Sequence, residues 1–165
     1  MSPRRNRSQL SVYIYFHVCI KGNGGVPIFV DDQDRMRYLT LIEKYFVQYK
    51  IQCFAYCLMT NHVHLLILTP TIAILSRCMH ASHIAYVMYF NKRHKRSGHL
   101  LEDRFSSWVI WGDKHLRFTK KYIEDNPVKA KIVGFKTQYP WSSGGGARSI
   151  VTLYDIKSYL EPSLI

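Results

Sequence analysis

With 165 residues, 47% of them hydrophobic and 21% charged, the chain carries enough apolar material for one domain with its own core, and disorder is expected only at the ends. Its 23 Lys and Arg against 11 Asp and Glu give a formal charge of +12, which points to a polyanionic partner, either nucleic acid or an anionic membrane surface. No run approaches the roughly eighteen consecutive apolar residues that span a bilayer, and the basic start MSPRRNRSQL leads into SVYIYFH without a cleavage-site pattern, so a cytoplasmic protein with no membrane segment is expected. The four cysteines, Cys19, Cys53, Cys57 and Cys78, form no CxxC pair and read as buried thiols.

Residues 1–9 are a polar, basic arm, and SVYIYFHVCI after them has the β-branched and aromatic content of a strand that GNGG ends. VDDQDRMRYLTLIEKYFVQYK opens with aspartates suited to a helix N-terminus and repeats apolar residues at Met36, Leu39, Ile42 and Phe46, which predicts an amphipathic helix. IQCFAYCLM and HVHLLILT follow as two strands joined at Thr60 and Asn61. TIAILSRCMHASHIAYVMYFNKRH is a second long helix, stopped by Ser97 and Gly98. RFSSWVIWG reads as a strand, and DKHLRFTKKYIEDN as a helix that Pro127 interrupts. Residues 144–165 form a Gly-rich flexible joint and a tail with one short amphipathic element, VTLYDIKSYL. This order predicts a ferredoxin-like α+β fold, an antiparallel sheet with helices packed on it plus one additional tyrosine-bearing helix, in a single domain over residues 1–165.

Side chains alternate along a strand, so His62 and His64 share one face while Val63 takes the other. Two such histidines either face solvent or a covering helix as ordinary polar residues, or share a ligand. Tyr122 lies three and four residues before Asp125 and Asn126, positions that share a helix face with it. Two imidazoles and one side-chain oxygen make a three-ligand site with open positions, which suits a catalytic metal that polarises a phosphodiester. A tyrosine beside it can attack, and a phosphotyrosine keeps the phosphodiester energy for rejoining. Asn126 followed by Pro127 is also a plain helix start, and Glu124 and Asp125 are either solvated carboxylates or assistants to the metal.

MTNHVHLLI resembles the histidine, hydrophobic, histidine (HUH) motif of single-tyrosine transposases, and YIEDNPVKA resembles the segment that holds their catalytic tyrosine. HVCIKGNGGVPIF, AYCLMTNHVHLLILTP, YFNKRHKRSGHLLEDRF, YIEDNPVKAKIV and YPWSS stand in the order seen in REP-associated tyrosine transposases, over residues 13–143. The resemblance implies a metal-dependent transposase that cleaves and rejoins single-stranded DNA beside hairpins of repetitive palindromic elements through a 5′-phosphotyrosine, with Mg or Mn as cofactor. It assigns His62, His64 and Asn126 to the metal and Tyr122 to the nucleophile, in a monomer or homodimer. Thr60 stands where that family often has proline, Glu102 and Asp103 replace a common Gln-Gly pair before Arg104, and Lys131 occupies a usual glycine position.

The run Lys92, Arg93, His94, Lys95 and Arg96, with Tyr89, Phe90, Phe105 and Trp108 nearby, reads as a phosphate track with stacking surfaces, and Arg104 extends it. Arg4, Arg5 and Arg7 are either an arm that reaches a groove or hairpin stem, or a solubilising tail. His80 and His83 read as core-edge histidines. Two alternatives stand beside the transposase: a noncatalytic hairpin-binding protein, and a replication-initiator nickase, which usually carries additional regions.

Overall fold

The computed structural model describes residues 13–145 and 151–155. Four strands, β1 (Ile14–Lys21), β2 (Gln52–Leu58), β3 (His62–Thr69) and β4 (Ser106–Val109), form one sheet in the order β2-β3-β1-β4. Every neighbouring pair is antiparallel. Helix α1 (Asp32–Tyr49) connects β1 to β2, and α2 (Ile72–Arg93) connects β3 to β4. This is the expected ferredoxin-like plan, and α3 (Gly112–Glu124) with the short α4 (Asn126–Lys129) is the addition to it.

The two faces of the sheet bury separate cores. Phe16, Val18, Ile20, Val63, Leu65 and Ile67 pack with the buried faces of α1 and α2. Cys57, Leu66 and Leu68 pack on the other face with Leu116 and Ile123 of α3 and with Tyr139. Coverage from both sides explains why β2 and β3 are buried almost throughout and read as continuous apolar runs. The register of β2 shifts between Cys53 and Ala55, so Phe54 and Ala55 both turn toward α3. The free edge of β2 is covered. Leu58 N donates to the Trp141 carbonyl, Ser143 N to Tyr56 and Tyr154 N to Cys53. Part of the segment expected to be a flexible joint and tail is therefore seated, with Val151 buried and Thr152 bonded to Glu43.

Helix α1 starts at the Asp31 cap, whose carboxylate accepts from Asp34 N at 3.1 Å. Leu39, Ile42 and Phe46 are buried as their spacing predicts, but Met36 is exposed, and Tyr38 fills the core edge-on to Phe29 and Tyr86. The basic run after α2 differs from its sequence reading at one residue. Arg93 pairs with Asp31 at 2.7 Å and with fully buried Asp34 at 2.6 Å, while His94 reaches Asp34 at 2.9 Å. Arg93 thus ties the end of α2 to the start of α1, and its donors are spent on carboxylates instead of phosphates. Glu124 is likewise neither solvated nor aimed at the histidines. It is buried and held by Lys120, by Lys136 at 3.1 Å and by the Ser143 hydroxyl at 3.2 Å, which pins α3 to the strap over β2.

Candidate active site

The sheet register brings together side chains that are far apart in sequence. Cys19 pairs with His64, and His17, two residues earlier, faces the same side of the sheet, next to Trp108 of β4. His17 Nε2 and His64 Nδ1 share a hydrogen bond of 2.9 Å. The His62 and His64 ring centroids lie 5.0 Å apart at 88°. Helix α3 crosses this face and sets the Tyr122 ring edge-on to both His17 and His64, with each pair of centroids 5.9 Å apart. Lys129 of α4 places its ammonium 4.2 Å from the Tyr122 ring centroid. His62, His64 and Tyr122 therefore converge, and His17 is a fourth member that the sequence reading did not single out. Its only sequence signal is one imidazole in an otherwise apolar and aromatic strand.

The imidazoles are held neutral. Burial, and then the neighbouring His17 and His62, push the His64 pKa down to about 3. Burial and then His115 push His17 down to about 4, and burial with Lys21 lowers His62. Each neutral ring has one N–H and one lone pair, and the neighbours constrain which nitrogen is which. His62 Nδ1 lies 2.7 Å from Asn61 Oδ1, an acceptor, so Nδ1 carries the proton and Nε2 is bare. If His64 Nδ1–H donates to His17, then His64 Nε2 is bare as well.

Two bare imidazole nitrogens on rings this close suit one divalent ion at the usual metal–nitrogen length of about 2.1 Å. Among the described residues, no group of three or more His, Cys, Asp or Glu is drawn together as a metal cage, so His62 and His64 form a two-nitrogen pair without a third such residue in a cage with them. A recess of about 400 Å³ is lined by Lys21, Asn61, His62, His64 and Glu102. Glu102 lines the recess beside the two histidines, a place the sequence reading did not assign to it. Its signal was there as the departure from the common glutamine. Asn126 does not line this recess, and its Nδ2 donates to the Tyr122 carbonyl at 3.0 Å, closing the end of α3 rather than capping the start of α4. Lys131 adopts φ 57°, the left-handed region that explains glycine there.

Of the basic residues, Lys92, Lys95 and Arg96 are exposed at the end of α2, with Arg96 over the Phe90 ring at 5.8 Å. Arg104 is exposed along a groove of about 810 Å³ between α2 and residues 98–107. His80 is exposed beside the same groove, and His83, half-buried, meets the Tyr38 hydroxyl at 3.5 Å. Arg4 and Arg5 lie outside the described residues. The four cysteines are free and buried, and no helix among the described residues is long and apolar enough to cross a membrane.

Residues 11–126 match the family described as Transposase IS200 like. The chain belongs to the IS200-like transposase family. No curated protein matches it. Among solved structures it is similar to a REP-associated tyrosine transposase bound to a REP hairpin, at 18% identity and a TM-score of 0.61 over 94% of this chain and 93% of that one. It is also similar to a candidate transposase from Deinococcus radiodurans, at 20% identity and a TM-score of 0.51 over 76% of this chain and 97% of that one. At these identities the likeness is one of fold. In this IS200-like transposase, the four-stranded sheet with its helices is the shared part, and the ring cluster of His17, His62, His64 and Tyr122 sits on it.

Proposed function

We propose that this IS200-like transposase cleaves and rejoins single-stranded DNA beside a hairpin of a repetitive palindromic element, with Tyr122 as nucleophile and His62 and His64 as metal ligands. The observation that carries the reading is the contact of the Tyr122 ring with the His17–His64 pair, which brings a phenol to the imidazole cluster on this face of the sheet. A divalent ion such as Mg or Mn, when bound, supplies Lewis-acid polarisation of the phosphodiester. The third donor is an oxygen, from Glu102 at the rim of the recess or from Asn126 Oδ1.

The residues of the chain do the remaining work. Packing of Tyr122 between His17, His64 and Lys129 fixes the ring, so its oxygen meets the phosphorus without further ordering. The oxygen forms a bond to phosphorus, the 3′ oxygen of the preceding nucleotide departs and takes up a proton, and the phenolic proton is released. The DNA is left joined through its 5′ phosphate. Attack by a 3′ hydroxyl on that phosphotyrosine reverses the sequence and reseals the strand, with no nucleotide cofactor. Lys129, Lys92, Lys95, Arg96 and Arg104 contribute positive charge for the backbone of the substrate.

The experiment is a covalent trap. Wild-type protein, Mn²⁺ and a hairpin-bearing strand labelled 3′ of the cut give a denaturant-resistant adduct, which mass spectrometry places on Tyr122. Tyr122→Phe keeps the ring and hairpin affinity and forms no adduct. An adduct on another tyrosine moves the nucleophile. Tight hairpin binding without any cutting, on strands that carry the repeats flanking the gene, replaces the reading with a noncatalytic hairpin binder.

A further inference from the structure

Helix α3 carries a row of rings that leads to Tyr122. Trp111, at its N-cap, His115, Phe118 and Tyr122 are separated by four, three and four residues. At 3.6 residues per turn His115, Phe118 and Tyr122 stay within about 60° of one another, and at 1.5 Å per residue they extend over about 10 Å; Trp111, with extended backbone, precedes them across Gly112, whose φ is 71°. The helix buries a different face, through Leu116, Thr119 and Ile123. Trp111 is 77% exposed and Phe118 68% exposed, so neither ring is holding the fold together. His115 Nδ1 accepts from Trp111 N at 3.2 Å, and Tyr122 at the end of the row stands edge-on to His17 and His64. Lys114, Arg117 and Lys121 are exposed along one flank of the row. Beyond the nucleophile, Trp108 is 52% exposed and lies 5.2 Å from His17, centroid to centroid.

Two large exposed rings, Phe118 on α3 and Trp111 at its N-cap, call for a partner. A second copy of the chain meeting this face across a two-fold axis would set Lys114, Arg117 and Lys121 against themselves. An unpaired polynucleotide meets both features at once, since its phosphates neutralise the flank and every base has a flat face to lay on a ring. We propose that this face of α3 is a stacking track for unpaired DNA, on which bases lie on Trp111 and Phe118 and phosphates meet Lys114 and Arg117, so that the strand is led to Tyr122. The proposal rests on Tyr122 being the nucleophile and adds the path of the single strand.

The test measures binding by the full-length protein in EDTA, so that nothing is cut. The probes are a hairpin with an unpaired extension and the same hairpin without it. Trp111→Ala and Phe118→Ala each weaken binding of the extended probe by roughly 5- to 150-fold and leave the blunt hairpin unchanged, while Trp111→Phe and Phe118→Trp retain most of the affinity. The ring variants keep the wild-type salt slope, whereas Lys114→Ala and Arg117→Ala each reduce it by about 0.7. Equal binding of the extended probe by ring variants and wild type overturns the track, as does an equal loss on both probes. A shift from dimer to monomer in sedimentation on Trp111→Ala assigns the face to a second copy and also overturns it. Adduct formation at Tyr122 with unchanged binding by the ring variants removes the track and keeps the nucleophile. Extension-specific loss in EDTA, together with no adduct from wild type in the Mn²⁺ trap, keeps the track and removes the nucleophile.

Discussion

His17 decides whether His64 can act as a ligand through Nε2, and that dependence can be measured. The two rings share one proton across 2.9 Å, and only the tautomer in which His17 Nε2 accepts leaves His64 Nε2 bare. His17→Phe preserves a flat ring against Trp108 and Tyr122 but removes the acceptor, so His64 no longer has its tautomer fixed. Loss of such an outer partner typically costs 10- to 100-fold in metal affinity, or about 1.4–2.8 kcal/mol. In the metal-free protein the same change leaves a buried imidazole N–H without a partner, which costs about 1–3 kcal/mol of stability. Calorimetric titration of the DNA-free protein with Mn²⁺ reads the first effect, and thermal melting in EDTA reads the second. His17→Gln offers an amide oxygen at a similar reach and restores most of the Mn²⁺ affinity, which a role in packing alone would not produce. A His17→Phe protein that binds Mn²⁺ as tightly as wild type and melts at the same temperature refutes the positioning role.

Three further outcomes follow from the ion pairs and the recess. Asp34→Ala removes the buried carboxylate between Arg93 and His94 and lowers stability by about 3 kcal/mol, a drop of about 6–12 °C in melting midpoint, while Arg93→Gln lowers the midpoint without flattening the salt dependence of DNA binding; a flattened slope would return Arg93 to the phosphates. Hydrogen bonds from Arg93 hold Asp31 down at about 2, and the Val30 amide, His94 and Arg93 outweigh burial to hold Asp34 low, as Lys120 and Lys136 do for Glu124. These carboxylates bind fewer protons folded than unfolded, so the stability they contribute is complete above the unfolded value near 4 and is lost as the pH falls below it; a melting midpoint unchanged from pH 5 to 2.5 would contradict this. Glu102→Gln weakens Mn²⁺ binding about tenfold and Asn126→Ala leaves it within twofold, because Glu102 lines the recess and Asn126 closes α3; the opposite order in calorimetry makes Asn126 the third ligand.

What could be read from the sequence was whatever depends on local spacing. The alternation that puts His62 and His64 on one face, the aspartates that open α1, its apolar spacing apart from Met36, and the order of strands and helices are all properties of short stretches, and each is found in the fold. His17 is different. Its meeting with His64 depends on β1 pairing with β3 in one register, and a slip of one residue would turn His17 to the core under α1 and α2. Arg93 looked like part of a phosphate track because its partners, Asp31 and Asp34, come from the far end of α1. Glu124 read as a solvated carboxylate or an assistant to the metal because Lys136 and Ser143 reach it only after the chain has folded back over β2.

The same nonlocality bears on how Tyr122 is held. Nothing in KKYIEDNPVKA by itself directs Tyr122 toward the sheet. The direction comes from Leu116 and Ile123 filling the second core, and from Glu124 fastening α3 through Lys136 and Ser143 to the strap that covers the edge of β2. Asn126 then ends the helix by donating to the Tyr122 carbonyl itself, so the residue that the resemblance makes a ligand acts on Tyr122 through its backbone. Phe54 and Ala55 widen the arrangement, since the shift in register presents two consecutive residues of β2 to this core instead of one. A ring held by core packing, a buried carboxylate and a closed helix end has little freedom left to lose when the strand arrives, which is what the proposed attack of Tyr122 on a phosphodiester requires.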